Sequence, residues 1–287
     1  MNGLLCIHKP AGVTSHDVVA AVRKAAQLRR VGHTGTLDPM ATGVLPILVG
    51  RATRAADFIM AERKEYIAGF TLGMRTDTLD TDGEVLEKSD KKATTADILT
   101  LLPTFTGEIQ QIPPMYSAIK KDGVPLYKLA RAGKQVERAA RTVTIFALDL
   151  LEFDEETQKG TLRIDCSKGT YVRTLCDDLG EKLGTYASMH ALVRSKNGDI
   201  ALPDCVHLNH LTKENISEFI RPLDTAFLKH APLYITEKEA ENIKNGVRIK
   251  TALQEGETVR VYREDEFLAL GQAQGGILHI LKSFYEV

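Results

Sequence analysis

The stretch Gly32-His33-Thr34-Gly35-Thr36-Leu37-Asp38-Pro39-Met40-Ala41-Thr42-Gly43 constrains this chain more than any other. Its three glycines open backbone conformations closed to other residues, and Pro39 fixes φ immediately after an acid. Such a segment cannot continue a helix and makes a poor interior strand. It reads as a stiff loop that holds one carboxylate, Asp38, and one imidazole, His33, in defined places. The apolar run Val44-Leu45-Pro46-Ile47-Leu48-Val49-Gly50 follows and would anchor the loop in a core. An isolated Asp-Pro pair is ordinary turn chemistry. A structural turn, however, rarely needs three glycines, a proline, a histidine and an acid together. Functional side chains also favour loops carried by a rigid scaffold.

The rest of the chain has the composition of a globular protein. Its 287 residues suffice for one large domain or for a main domain with an appendage. Hydrophobic residues at 43% and charged residues at 26% match an ordinary folded chain and exclude a disordered one. No apolar run approaches the roughly 20 residues of a membrane-spanning helix. The start, Met1-Asn2-Gly3-Leu4-Leu5-Cys6-Ile7-His8-Lys9-Pro10, lacks the basic head and long apolar stretch of a signal peptide. Cys6, Cys166, Cys176 and Cys205 are widely spread, without paired metal spacing. They read as thiols of a reducing, cytoplasmic compartment, and neither metal nor cofactor is expected.

A formal net charge of −1 argues against a nucleic-acid binder, but the distribution is uneven. Residues 1–60 carry seven Lys/Arg against three Asp/Glu, and residues 120–142 carry seven against two. Residues 143–160 hold one Lys against five acids. If the two basic segments share a face, a polyanion fits there; otherwise these are solvated helix faces.

Periodicity outlines the elements. Leu4 to Ile7 reads as a strand and Ser15 as the cap of a helix whose apolar face is Val18, Val19, Ala21, Val22, Ala25 and Ala26. Arg29 and Arg30, just before the loop, suit phosphate contact or plain solvation. Residues 52–62 read as a second helix and residues 66–73 as a strand headed by Tyr66, the usual place for half-buried packing. Residues 74–92, with Asp77, Asp80, Asp82 and Glu84, read as a solvated hairpin, because they do not complete an EF-hand loop. Thr94 or Thr95 caps a helix stopped by Pro103. Strands are expected at 143–153 and 160–166. Tyr171, Leu175, Leu179 and Leu183 then mark one face of a helix ended by Gly184. Arg173 falls in that helix's first turn, where a cation opposes the dipole, so it needs a carboxylate or phosphate partner. Residues 203–230 read as connecting helices, and after Pro232 come a helix at 236–245 and short strands at 259–262, 267–271 and 277–281.

The run from Gly32 to Gly43, continued by Val44-Leu45-Pro46, resembles the signature of the TruB-type tRNA pseudouridine synthases. Cys166-Ser167-Lys168-Gly169-Thr170-Tyr171-Val172-Arg173 is a second specific match, and Lys9-Pro10-Ala11-Gly12-Val13-Thr14-Ser15 and Lys64-Glu65-Tyr66 are further ones. The resemblance spans nearly the whole chain. It implies a mixed α+β fold with a central, mainly antiparallel sheet. Residues 1–230 would form the catalytic domain, with a thumb-like insertion at about 105–142. Residues 231–287 would form a small PUA-like RNA-binding β-domain that leans on the main one. It also implies that Asp38 is the indispensable catalytic residue, that Arg173 pairs with it and Tyr171 contacts it, and that Tyr66 lies against the target base. Leu192 would pack on that base, His33 would fill the gap the base leaves, Lys9 would lie in the motif that supports the loop and bind substrate, and Arg131 would belong to the RNA clamp. The implied partner is tRNA, through its T-arm stem-loop, with no membrane, no obligate protein partner and a monomeric enzyme.

The chemistry agrees. Turning uridine into pseudouridine breaks a C–N glycosidic bond and forms a C–C bond, with no redox step. A single ionised carboxylate supplies the nucleophile or ion stabiliser, and a cationic neighbour keeps it charged. A stacked base must first be flipped out and held between apolar or aromatic surfaces. A two-carboxylate glycosidase would need a second acid matched to Asp38, and none stands out. A nucleotide-binding enzyme would need G-x-x-x-x-G-K-[ST] or G-x-G-x-x-G, and neither occurs. A non-catalytic RNA-binding protein or tRNA-folding chaperone using the same basic surface is the remaining alternative.

Overall fold

The computed structural model describes residues 1–285, which fall into two units. The first comprises Met1–Pro39, Leu45–Met60 and the chain from Pro203 onward; the second comprises Met40–Val44 and Ala61–Leu202. Asp38 thus belongs to the first unit and Gly43 to the second.

In the first unit, the strand Gly3–Lys9 is buried almost throughout, as a run apolar on both faces demands. It pairs in parallel with Val206–His207, a strand within the stretch expected to be helical. Pro203 and Pro222 keep residues 203–230 short-range: the one-turn helix Ile216–Phe219 and 3-10 turns take the place of longer helices. Val31–His33 pairs antiparallel with the strand that begins at Thr42, setting His33 opposite Ile47. The helix Ser15–Ala26 turns Val18, Val19, Val22 and Ala26 inward. Its cap is Thr14, not Ser15. The Thr14 hydroxyl accepts the Asp17 N–H while the Asp17 carboxylate accepts the Thr14 N–H, a reciprocal box that contributes about 1 kcal/mol. Residues 50–60 form a 3-10 turn, Gly50–Ala55, before the α-helix Ala56–Met60, because the Thr53 hydroxyl bonds back to the Gly50 carbonyl.

The same unit ends in a five-stranded sheet ordered Ala231–Tyr234, Thr258–Arg263, Glu266–Gln274, Ile277–Ser283, Ile249–Lys250, with the helix Glu237–Lys244 capped by Thr236. Sequence periodicity captures the three long strands and misses the two short edges. Val259, Val261, Leu268, Leu278 and Ile243 fill its small core. Phe284 stacks on Phe227 and Phe267 lies tilted against it, while Phe227 also meets Phe58 edge-on, so this sheet borrows apolar surface from the rest of its unit.

The second unit is built on a sheet ordered Ala187–Asn197, Lys64–Leu72, Lys159–Cys166, Arg141–Asp154, Gly107–Gln111, with antiparallel neighbours throughout. Thr42 and Gly43 join its other edge in parallel beside Val193 and Arg194. The helix Val172–Leu183 buries Leu175, Leu179 and Leu183, and Gly184 ends it at φ +69°, as its sequence requires. Gln111 and Arg141 face each other across adjacent strands, so residues 112–140 leave the sheet and return at one place. This excursion holds the short helix Leu126–Arg131 and exposes Lys120, Lys121, Lys128 and Arg131.

Candidate active site

The residues on both sides of Asp38 are pinned through their backbones. The buried Ser15 hydroxyl accepts the Leu37 N–H at 2.9 Å and donates to the Leu37 carbonyl at 3.2 Å. On the other side, the Pro39 carbonyl accepts from the Gly12 N–H at 2.9 Å and from the Lys9 ammonium at 3.2 Å. Lys9 is fully buried, and its ammonium also reaches the Pro10 carbonyl. The Thr34 N–H donates to the Pro46 carbonyl, tying the loop's start to the apolar strand. Each such bond contributes about 1 kcal/mol, enough together to fix the backbone while Asp38 itself stays partly exposed. His33 is half-buried, with its ring edge-on to His16 at 5.4 Å.

Of the loop's glycines, Gly35 and Gly43 have positive φ, at +118° and +108°, whereas Gly32 has no such need. Gly43 has a second reason: a Cβ there would collide with the Arg194 backbone. Arg194 is almost wholly buried and its Nε donates to the Val44 carbonyl at 2.7 Å. On the neighbouring strands, Tyr66 stands opposite Arg194 and Leu192 opposite Ala68, so Tyr66 and Leu192 are diagonal neighbours on one face. Lys64 lies on that face too, its ammonium bonded to the Glu62 carbonyl. Burial pushes its pKa down to about 8, with Arg194 adding repulsion.

Arg173 is buried at the start of its helix, and its expected need for an anion is met by Asp80, at 3.3 Å. Its Nη1 also donates to the Thr78 carbonyl and its Nη2 to the Tyr116 carbonyl. The 74–92 hairpin is therefore not simply solvated. Its strands, Met74–Thr76 and Val85–Lys88, pair as expected, but Thr76 and Asp80 are buried at its tip. The Thr78 hydroxyl holds Asp80 Oδ1 at 2.6 Å and leaves Oδ2 to Arg173. The local clue was the pair of threonines around Asp77 and before Asp80: the Thr76 hydroxyl donates to the Asp80 carbonyl and the Thr78 hydroxyl to its carboxylate. Tyr171 is fixed by Gln111, whose side-chain amide accepts the Tyr171 N–H at 2.7 Å and donates to its carbonyl at 3.0 Å. Farther along the helix, Arg75 grips Asp177 at 2.6 and 2.7 Å and reaches Glu181. Asp177, Asp178 and Glu181 are, among the described residues, a set of oxygens spaced for a cation, but Arg75 already occupies two of the three carboxylates. Arg131 is exposed beside the Tyr127 ring.

Comparison with known proteins places the chain in a family. A model of the N-terminal domain of TruB family pseudouridylate synthases matches residues 23–172, and one of the tRNA pseudouridylate synthase B C-terminal domain matches residues 173–228. The chain is 44% identical over 278 residues to tRNA pseudouridine synthase B of Clostridium tetani, covering 95% of this chain and 96% of that one. It is 46% identical over 266 residues to the protein of the same name from Bacillus anthracis, covering 88% and 86%. A solved Cbf5-Nop10-Gar1 complex matches 99% of this chain and 85% of that chain with a TM-score of 0.74 at 25% identity. The chain belongs to the TruB family of pseudouridylate synthases, enzymes that isomerise uridine to pseudouridine in RNA.

Proposed function

We propose that this protein isomerises the T-loop uridine at position 55 of tRNA, with Asp38 as its catalytic carboxylate. The observation that carries the reading is the backbone pinning of Leu37 and Pro39, the residues before and after Asp38, which holds a partly exposed acid on a tied-down loop. Preorganisation of this kind is how a single carboxylate acts without reorganising during the reaction.

In this reading the uridine leaves the T-loop stack and lies between Tyr66 and Leu192, with Tyr171 held by Gln111 beside it. Asp38 supports cleavage of the C1′–N1 bond, the uracil turns, and C5 bonds to C1′. The proton released from C5 balances the one taken up at N1, so the product is an isomer of the substrate. Arg173 keeps Asp38 ionised, His33 occupies the space the base vacates, and Lys9 holds the loop through Pro39. The exposed Lys120, Lys121, Lys128 and Arg131 grip the T-arm backbone, and residues 231–287 form the PUA-like element that adds RNA contacts. The enzyme works as a cytoplasmic monomer.

Mapping pseudouridine in tRNA from cells lacking this protein tests the reading. The T-loop pseudouridine is expected to disappear and to return with the wild-type gene. A modification pattern unchanged in the deletion strain would overturn the assignment.

A further inference from the structure

Arg173 draws acceptors from two separate stretches of chain. Thr78 and Asp80 belong to the hairpin tip, and Tyr116 belongs to the 112–140 excursion. Tyr116 touches this arrangement twice. Its carbonyl accepts from Arg173 Nη2 at 3.0 Å, and its hydroxyl donates to Asp77 Oδ2, also at 3.0 Å. The other Asp77 oxygen accepts the Glu84 N–H at 2.9 Å and closes the turn that carries Thr78 and Asp80. A closed ring results, running from Asp77 through Tyr116 and Arg173 to the hairpin tip.

The ring has a mechanical consequence. Arg173 sits in the first helical turn, where the dipole repels a cation, so its orientation depends on the acceptors around it. One of those acceptors is a backbone carbonyl on the basic excursion, and a phenol–carboxylate hydrogen bond fixes that carbonyl in place. Other bonds nearby, Ser117 N–H to the Met115 carbonyl and Tyr127 N–H to the Ser117 carbonyl, tie the excursion to itself and not to the hairpin.

We propose that Tyr116 is a positioning residue that makes the placement of Arg173 depend on the seating of the 112–140 excursion, so that RNA held by this basic segment completes the catalytic arrangement. The proposal rests on the reading of Asp38 and Arg173 given above. It is tested with full-length protein and tRNA under single-turnover conditions, with tRNA binding measured separately. Tyr116→Phe removes the hydroxyl and keeps the ring and carbonyl. Its rate is expected to fall about tenfold, the effect of one hydrogen bond to a charged group, with tRNA affinity unchanged. Asp77→Ala is expected to lose at least as much, since it also frees the Glu84 N–H, and the double variant no more than Asp77→Ala alone, because the Tyr116 link is already gone. Three results would each overturn the proposal: a wild-type rate for Tyr116→Phe, losses that multiply in the double variant, or a loss confined to tRNA affinity. Asp38→Asn run alongside separates the layers. An inactive Asp38→Asn with a full-speed Tyr116→Phe defeats the positioning role of Tyr116 alone, whereas an active Asp38→Asn defeats the site reading and that role with it.

Discussion

A carboxylate acts according to what surrounds it, and the acids of this chain divide on that basis. Asp80 is buried against Arg173 with a threonine hydroxyl on its other oxygen, while Asp82, two residues on, is exposed. Composition treats the two alike, which is why the sequence reads both as solvation. Arg173 was more legible: a cation in the first turn of a helix needs an anion, and one is present. Ser15 was legible only as a helix start. Its true task, gripping the Leu37 peptide, spans 22 residues and leaves no local pattern. Removing one partner of a buried pair exposes the other to an uncompensated desolvation cost. Asp80→Ala is therefore expected to lower folding stability by about 3 kcal/mol and to slow turnover, because Arg173 loses one of the acceptors that place it. Urea unfolding and single-turnover rates check this; a variant unchanged in both would show that Asp80 does not hold the arginine.

Elements followed periodicity where they are long and amphipathic. The helix Val172–Leu183 ends at Gly184 as read, and three strands of the main sheet stand within a few residues of their apolar runs, whereas Ala187–Asn197 and Gly107–Gln111 were not read as strands. Short pieces escaped, among them Val206–His207 and Ile249–Lys250, because two residues carry no period and only their partners define them. The glycines of the 32–43 segment show what sequence can and cannot reveal. Positive φ explains Gly35 and Gly43, but the close approach of the Arg194 backbone to Gly43 comes from strand pairing. Gly43→Ala is therefore expected to cost more than the roughly 1–3 kcal/mol of a strained φ alone and to yield little folded protein. Soluble yield and thermal melting measure it. A variant as stable as wild type would mean that the strand shifts freely, and that the loop is less rigid than its bonding implies.

Across the whole chain, the stretches 1–60 and 120–142 are basic although the net charge is −1. One electrostatic cost lies on the helix Val172–Leu183. Burial, with Asp177 and Glu181 nearby, raises the Asp178 pKa to about 6. The folded state then holds a proton that the unfolded chain releases at lower pH, so the penalty is full above pH 6 and fades as pH falls toward about 4. Asp178→Asn is expected to stabilise the protein by about 1–2 kcal/mol at about pH 7.5, allowing for solvent screening, and by nothing at about pH 4. Equal gains at both pH values would assign the effect to packing and not to charge. The proposed isomerisation depends above all on Asp38. Purified Asp38→Asn protein, incubated with unmodified tRNA and followed by pseudouridine detection at the T-loop, tests it most directly. Binding at wild-type affinity with no uridine converted is the result the account requires; conversion at the wild-type rate would contradict it.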